Sequence, residues 1–283
     1  MNNSSDNKGK KILGYLFPGL ITLLVMLIVL VAKGIWPFGS SRIDLFDNMQ
    51  QVAPLYAHLW DAMHGDASIW FDWYTGLGTN VSMSMSAFSM ISPFNLFLYL
   101  CPRDYILEFI SVLTVIKTFV MSVTMYAFIN KRYNSLSYNI KALFAVAYAF
   151  CGYVLLYASC FTPWMDIVAL FPLLMMALDV MEKTGKKLFY IIMVAVMFII
   201  NYYLAAMSLV YILLVGGMYL IFMCDKKERC KKAWNVGIGT FTGIALSAFM
   251  LIPVFAQLSQ SQRTGNTAVS YTHLRAHETS LHL

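Results

Sequence analysis

Lys117 lies in an apolar run, residues 105–129, with hydrophobic sequence on both sides. On a helix rising 1.5 Å per residue it would sit about 18 Å from either end, too deep for its ammonium to reach water comfortably. A lone charge at that depth is costly, so Lys117 must face a partner or a polar cavity. Two chemistries fit: an ion pair with an acid on another helix, or contact with an anionic phosphate reaching into a bundle.

The acids fall in three places. "DLFDNMQQVAP" (44–54) holds Asp44, Asp47 and Gln51. Downstream, Val52, Leu55, Tyr56, Leu59 and Met63 recur at helical spacing, with Asp47, Gln51 and His58 on the opposite stripe and Asp44 and Asp61 flanking it. Pro54 would kink that helix or open a new one. The stripe suits either an amphipathic helix lying on a membrane with its polar face in water, or a site. In "WFDWYTGLGTN" (70–80), Trp70, Phe71, Trp73 and Tyr74 crowd around Asp72, while Gly76 and Gly78 permit tight backbone. This is either an aromatic belt at a membrane interface or a platform on which a sugar stacks while a carboxylate binds its hydroxyls. In "FTPWMDIVALFP" (161–172), Thr162 can cap a helix, Pro163 suits its first position, and Asp166 falls in the first turn, where the helix dipole favours an anion. Asn201 and Tyr202, in "NYYLAA", stand at the end of the following helix, level with Asp166. Together these groups could line a cavity opening outward.

The elements that must position them are membrane helices. The chain is 59% hydrophobic and only 12% charged over 283 residues, with mean hydropathy +0.66. A water-soluble domain of this size carries more charge, so the composition specifies an integral membrane protein. The net charge of +6 is accordingly no sign of a nucleic-acid partner. Span-length apolar runs occur at 12–32, 105–129, 140–158, 164–181, 188–204, 207–223 and 234–255, which predicts an all-α polytopic protein of about seven transmembrane helices. The run at 12–32 is too long for a signal-peptide core and is read as a retained first helix after a short N-terminus, 1–11.

Cations set the orientation. Lys8, Lys10 and Lys11, then Lys131, Arg132 and Lys141, then Lys183, Lys186 and Lys187, then the basic cluster at 226–232 all fall on one side of these spans. Only Lys33, Arg42, Arg103, Arg263 and Arg275 fall on the other, which puts the N-terminus in the cytoplasm of a multi-pass cell-membrane protein. Counting 81–100 as a further span would invert every later loop, so it reads as an interfacial or re-entrant segment. Residues 33–104 then form one long outer loop, which carries Asp47 and Asp72.

Five cysteines form no metal-binding spacing and read as small buried hydrophobes, with Cys101 and Cys160 the one outer-side pair that could bridge. Residues 256–268 read as the start of a further outer segment. "VSYTHLRAHETSLHL" (269–283) breaks the pattern and looks like translated adapter sequence, which would make the chain an N-terminal piece of a longer protein. Its His273, His277 and His282 are therefore set aside from metal-site reasoning.

In order along the chain, "DNMQQVAPL", "FDWYTGLGTN", "SPFNLF", "VIKTF", "AYAFCGY", "WMD" and "NYYLA" resemble the motifs of the bacterial YfhO family of multispanning membrane proteins. Any one motif is weak, but seven in register are specific, and they cover residues 10–255. Val52 departs from the aromatic usual after the motif's Gln. The resemblance implies a plan similar to GT-C glycosyltransferases, with an essential acid in the first outer loop. It implies transfer of a sugar from a polyprenyl-phosphate donor to an envelope polymer acceptor such as lipoteichoic acid. In that register Asp47 is the catalytic carboxylate. Gln51, Asp72, Trp73, Lys117, Asp166, Asn201 and Tyr202 become candidates for substrate binding. A divalent cation, Mg or Mn, is compatible with the plan but not established by the residues. The competing reading is a transporter or flippase of lipid-linked envelope intermediates; it calls for midplane polar groups on broken helices and paired repeats, and no repeat is visible.

Overall fold

The computed structural model describes residues 2–43, 45–75 and 78–260. The segments from 261 on, including the proposed adapter stretch, and Asp44, Gly76 and Leu77 lie outside the described residues.

Helix α1 (Asn2–Ala32) leads into the long loop expected at 33–104. That loop carries a π-helical turn (Asn48–Val52), α2 (Ala53–His64), a two-stranded ribbon of β1 (Phe71–Asp72) and β2 (Thr79–Asn80), α3 (Ser82–Ala87) and a 3-10 helix (Pro93–Leu100). The bundle continues with α4 (Ile106–Arg132), α5 (Tyr138–Ala149), α6 (Gly152–Cys160), α7 (Met165–Thr184), α8 (Leu188–Ile200), α9 (Tyr202–Phe222), α10 (Lys226–Leu246) and α11 (Ala248–Gln260).

Among the described residues, five helical stretches are long and apolar enough to cross a membrane: Ile12–Ala32, Arg103–Arg132, Tyr138–Cys160, Thr162–Thr184 and Tyr202–Phe222. A sixth forms if α10 and α11, bent by 75° at Ser247, count as one span. The sequence reading of about seven included the run at 188–204. Its helix, α8, stops after 13 residues because Asn201 leaves helical geometry and caps α9 instead, its Oδ1 accepting from the Leu204 amide at 3.0 Å. Residues 81–100 form no span-length helix, only the short pieces α3 and Pro93–Leu100.

Helix α4 is the hub and lies against α1, α5 and α7. Close approach is secured by glycine. A Cβ at Gly19 would fall 2.7 Å from Phe119 and Val123, and one at Gly243 would fall 2.6 Å from Val194, so α1 meets α4 and α10 meets α8 only where a side chain is missing.

The apolar stripe anticipated in the loop is present. Val52, Leu55, Tyr56 and Leu59 are all buried, but against Val81, Met85, Ile106, Ile110, Leu113 and Phe161. The stripe therefore packs on protein instead of resting on a membrane surface. Each such aliphatic or aromatic side chain contributes roughly 1.5–3 kcal/mol when fully buried, which fixes the loop to the bundle. All five cysteines are free, so the Cys101–Cys160 bridge does not form.

Candidate functional site

The π-helical turn exists where Pro54, lacking an N–H, cannot continue the α-helical ladder backwards. The Ala53 amide reaches Asn48 O instead, and Pro54 sits in the first turn of α2. This geometry sets Asp47 just ahead of the turn, facing Gln51. Gln51 Nε2 donates to Asp47 Oδ1 at 2.5 Å. Asp47 is half-buried and Gln51 exposed, so the carboxylate is held yet open to one side.

Asn48, between them, is fully buried. Its Nδ2 donates to Ser159 O at 3.1 Å and its Oδ1 accepts from the Thr162 amide at 2.9 Å. Asn48 thus ties the Asp47 turn to the junction of α6 and α7. The sequence reading passed over it. An amide inside the polar motif "DNMQQ" was the available signal, but nothing in the spacing said that this amide points inward.

Beneath that junction lies Lys117. Its ammonium is 2.6 Å from Asp166 Oδ1, both side chains are wholly buried, and Nζ also donates to Thr162 O at 3.2 Å. Phe94 presents its ring 5.9 Å from the same nitrogen. The hydroxyls of Tyr56 and Ser92 complete the polar surroundings of Asp166. Of the two partners open to Lys117 from sequence, the acid on another helix is the one present. Thr162 is the shared node, its amide bound by Asn48 and its carbonyl by Lys117, so only two hydrogen bonds separate the buried pair from the residue beside Asp47.

Asn201 is buried and, besides capping α9, donates to Ala87 O at 2.9 Å and Ser89 Oγ at 3.2 Å. Ser86 receives the Tyr202 amide at 3.2 Å and bonds Phe198 O, while Ser89 Oγ donates to Pro163 O at 3.0 Å. Asn95 Nδ2 holds Ser89 O at 2.8 Å. Ser86 and Ser89 are thus fasteners that hold the segment against Pro163 and the junction of α8 and α9. Asn201 is a structural clasp here, and Tyr202 is partly buried beside it.

Asp72 and Trp73 belong to a separate cluster. Asp72 accepts from the Tyr74 amide at 3.0 Å and from Thr75 Oγ1 at 2.5 Å, and His58 Nδ1 is 3.7 Å away. Burial alone pushes this carboxyl up, but the Thr75 and Tyr74 hydrogen bonds and the nearby imidazole outweigh it and hold Asp72 below its ordinary value. Trp73, which meets Phe71 edge-on at 4.8 Å, is 75% exposed and Tyr74 97%, which leaves aromatic surface open beside a bound carboxylate. At the foot of the loop, Arg103 makes a forked contact with Asp61, at 2.6 and 2.8 Å, and Arg42 lies 2.6 Å from Glu108.

The fit to a divalent cation is poor. Among the described residues no three His, Cys, Asp or Glu side chains converge, and Asp47, Asp72 and Asp166 each face a different protein partner.

A family model, described as bacterial membrane protein YfhO, matches residues 19–282. Comparison with curated proteins and with solved structures gives no match.

Proposed function

The chain belongs to the family of bacterial membrane protein YfhO, and from that premise we propose that it serves as a membrane glycosyltransferase. In this reading it moves a sugar from a polyprenyl-phosphate donor to an envelope polymer acceptor such as lipoteichoic acid, on the outer face, with the N-terminus cytoplasmic. The observation that carries the reading is Asp47, a carboxylate oriented by Gln51 and backed by the buried Asn48, yet still open on one side.

The acceptor hydroxyl attacks the anomeric carbon as the bond from that carbon to the lipid phosphate oxygen breaks. Asp47 takes the hydroxyl proton, and the lipid phosphate leaves as an anion. Positive charge eases that departure. Lys117 is the candidate cation, but with Asp166 at 2.6 Å and no exposure its charge is already matched. Its part in the arrangement described is to hold Thr162, and through it the Asp47 turn. The exposed faces of Trp73 and Tyr74 beside Asp72 suit sugar stacking.

The test is Asp47→Asn in cells lacking the native protein. Sugar incorporation into the envelope polymer should vanish while the membrane level and detergent elution profile stay those of the parent. Full incorporation in the variant would overturn the assignment. Movement of labelled lipid-linked sugar across proteoliposomes without transfer to any acceptor would instead support the transporter reading.

A further inference from the structure

An aromatic wall stands beside Asp47. On α6, Tyr153, Tyr157 and Cys160 are spaced four and three residues apart and so share one helix face. Asn48 grips the Ser159 carbonyl at 3.1 Å, which brings Asp47 within electrostatic reach of the Cys160 thiol at the end of that face. The 3-10 turn Thr162–Trp164 then folds the chain back, and the Trp164 ring lies 4.8 Å from Tyr157 and 5.0 Å from Phe161. Tyr153 extends the wall on one side, 4.4 Å from Tyr157 and about 10 Å along the helix from Cys160. Tyr203 extends it on the other, 6.0 Å from Trp164, because the Asn201 cap starts α9 here and puts Tyr203 in its first turn.

Packing alone gives no use for the oxygens of this wall. The hydroxyls of Tyr153, Tyr157 and Tyr203 make no hydrogen bond among the described residues. None of the three side chains is buried: Tyr153 and Tyr203 are exposed and Tyr157 is half-buried, whereas the plain phenyl ring of Phe161 is buried. The wall therefore presents aromatic surface edged with free, neutral donors and acceptors. It offers no positive charge. Among the described residues no Lys or Arg stands over these rings, and Lys117, behind Thr162, is enclosed and matched by Asp166. The charge beside the wall is the carboxylate of Asp47. Leu155 and Leu156 on the same helix are exposed within the span-length stretch Tyr138–Cys160, so the wall adjoins surface that a bilayer covers.

We propose, resting on the reading of Asp47 as the transferase base, that this wall binds the sugar of a lipid-linked donor and selects a neutral hexose over an acidic one. The C–H groups of the sugar ring lie against the open surface of Tyr157 and Trp164, and its hydroxyls bond the three phenols. A phosphate finds no cation on the wall, so the sugar is the part of the donor that it suits. A uronic acid would bring a second carboxylate beside Asp47 with nothing to neutralise it. The wall is separate from Trp73 and Tyr74, which belong to the ribbon.

The test titrates the full chain in detergent by calorimetry with a short prenyl phosphate carrying glucose, glucuronic acid or no sugar. The glucose compound should bind most tightly. Tyr157→Phe and Tyr203→Phe should each weaken its binding about fivefold, the loss of one net hydrogen bond. Both should leave the unfolding temperature and the binding of the sugar-free compound unchanged, because neither hydroxyl has a partner within the protein. Unchanged glucose affinity in both variants, or equal affinity for glucose and glucuronic acid, would overturn the sugar site. Equal binding of the glucose and sugar-free compounds to the parent would reduce the wall to an interfacial aromatic belt and would also overturn it. If Tyr157→Phe disturbs folding, Tyr203→Phe at its exposed position decides the matter. Asp47→Asn tells the two readings apart: intact sugar incorporation in that variant removes the transferase base, while the affinities of the tyrosine variants still uphold or overturn the sugar site.

Discussion

Lys117 and Asp166 form an ion pair 2.6 Å apart on two different helices, with neither side chain exposed, in the interior of the bundle. Removing one partner leaves the other as an uncompensated buried charge, which costs about 3–5 kcal/mol. Lys117→Met and Asp166→Leu should each lower the unfolding temperature sharply in detergent. The double variant should be closer to the parent than either single one, because no orphan charge remains. A double-mutant cycle by thermal unfolding reads this directly, and simple additivity would remove the pair from its supporting role.

Asn48→Leu should separate orientation from proton transfer. It strands the Thr162 amide and frees the Asp47 turn, at a stability cost of about 1–3 kcal/mol. Sugar incorporation should fall while Asp47 remains present. Asp47→Asn should abolish incorporation with little change in stability. Measuring unfolding temperature and incorporation for both variants distinguishes the two roles, and identical profiles would mean that Asn48 does not position Asp47.

Acid should loosen the 33–104 loop. The Arg103 hydrogen bonds, the largest influence, hold Asp61 below its ordinary value of 3.8, and Asp72 is held below it too. A depressed carboxyl contributes stability that is fully present above its unfolded value. That stability is lost as pH falls through the lower folded value. Tryptophan fluorescence and limited proteolysis of the loop should therefore be flat above about pH 5 and change below about pH 4. Arg103→Gln should move the change upward in pH. The effect should be small and salt-sensitive, about 1 kcal/mol or less, because Arg103 is half exposed.

The two kinds of glycine should respond oppositely. Gly243→Ala drives a Cβ to 2.6 Å from Val194 and 2.9 Å from the Ile191 carbonyl, and should destabilise by about 1–3 kcal/mol. Gly216→Ala meets open space and should be neutral or stabilising by up to about 1 kcal/mol through helix propensity. Thermal unfolding of the two variants side by side checks the contrast.

Much of this was legible in the sequence, and the boundary is physical. Helical spacing identified the buried face of α2, because side chains three and four apart share a side whatever they pack against. The same spacing could not say that the face meets Val81 and Ile110 rather than lipid, since both are apolar. Burial depth required a partner for Lys117, but Asp166 is brought to it only by the packing of α4 on α7. Asn201 read as a polar group at the right level, while its actual task, ending α8 and clasping Ala87, depends on a segment far away in the chain. Thr162 read as a cap, yet its side chain makes no cap and its backbone does the linking.

The serine fasteners of the 81–100 segment also impose an order on synthesis. Ser86 bonds a carbonyl 112 residues later, and Asn201 reaches back 114 residues to Ala87. Ser89 can meet Pro163 before α7 is made, but Ser86 and Ala87 have no partners until residues 198–201 follow. Clasping of this segment against α8 and α9 is therefore a later event in assembly than the tying of the Asp47 turn, which needs only Ser159 and Thr162.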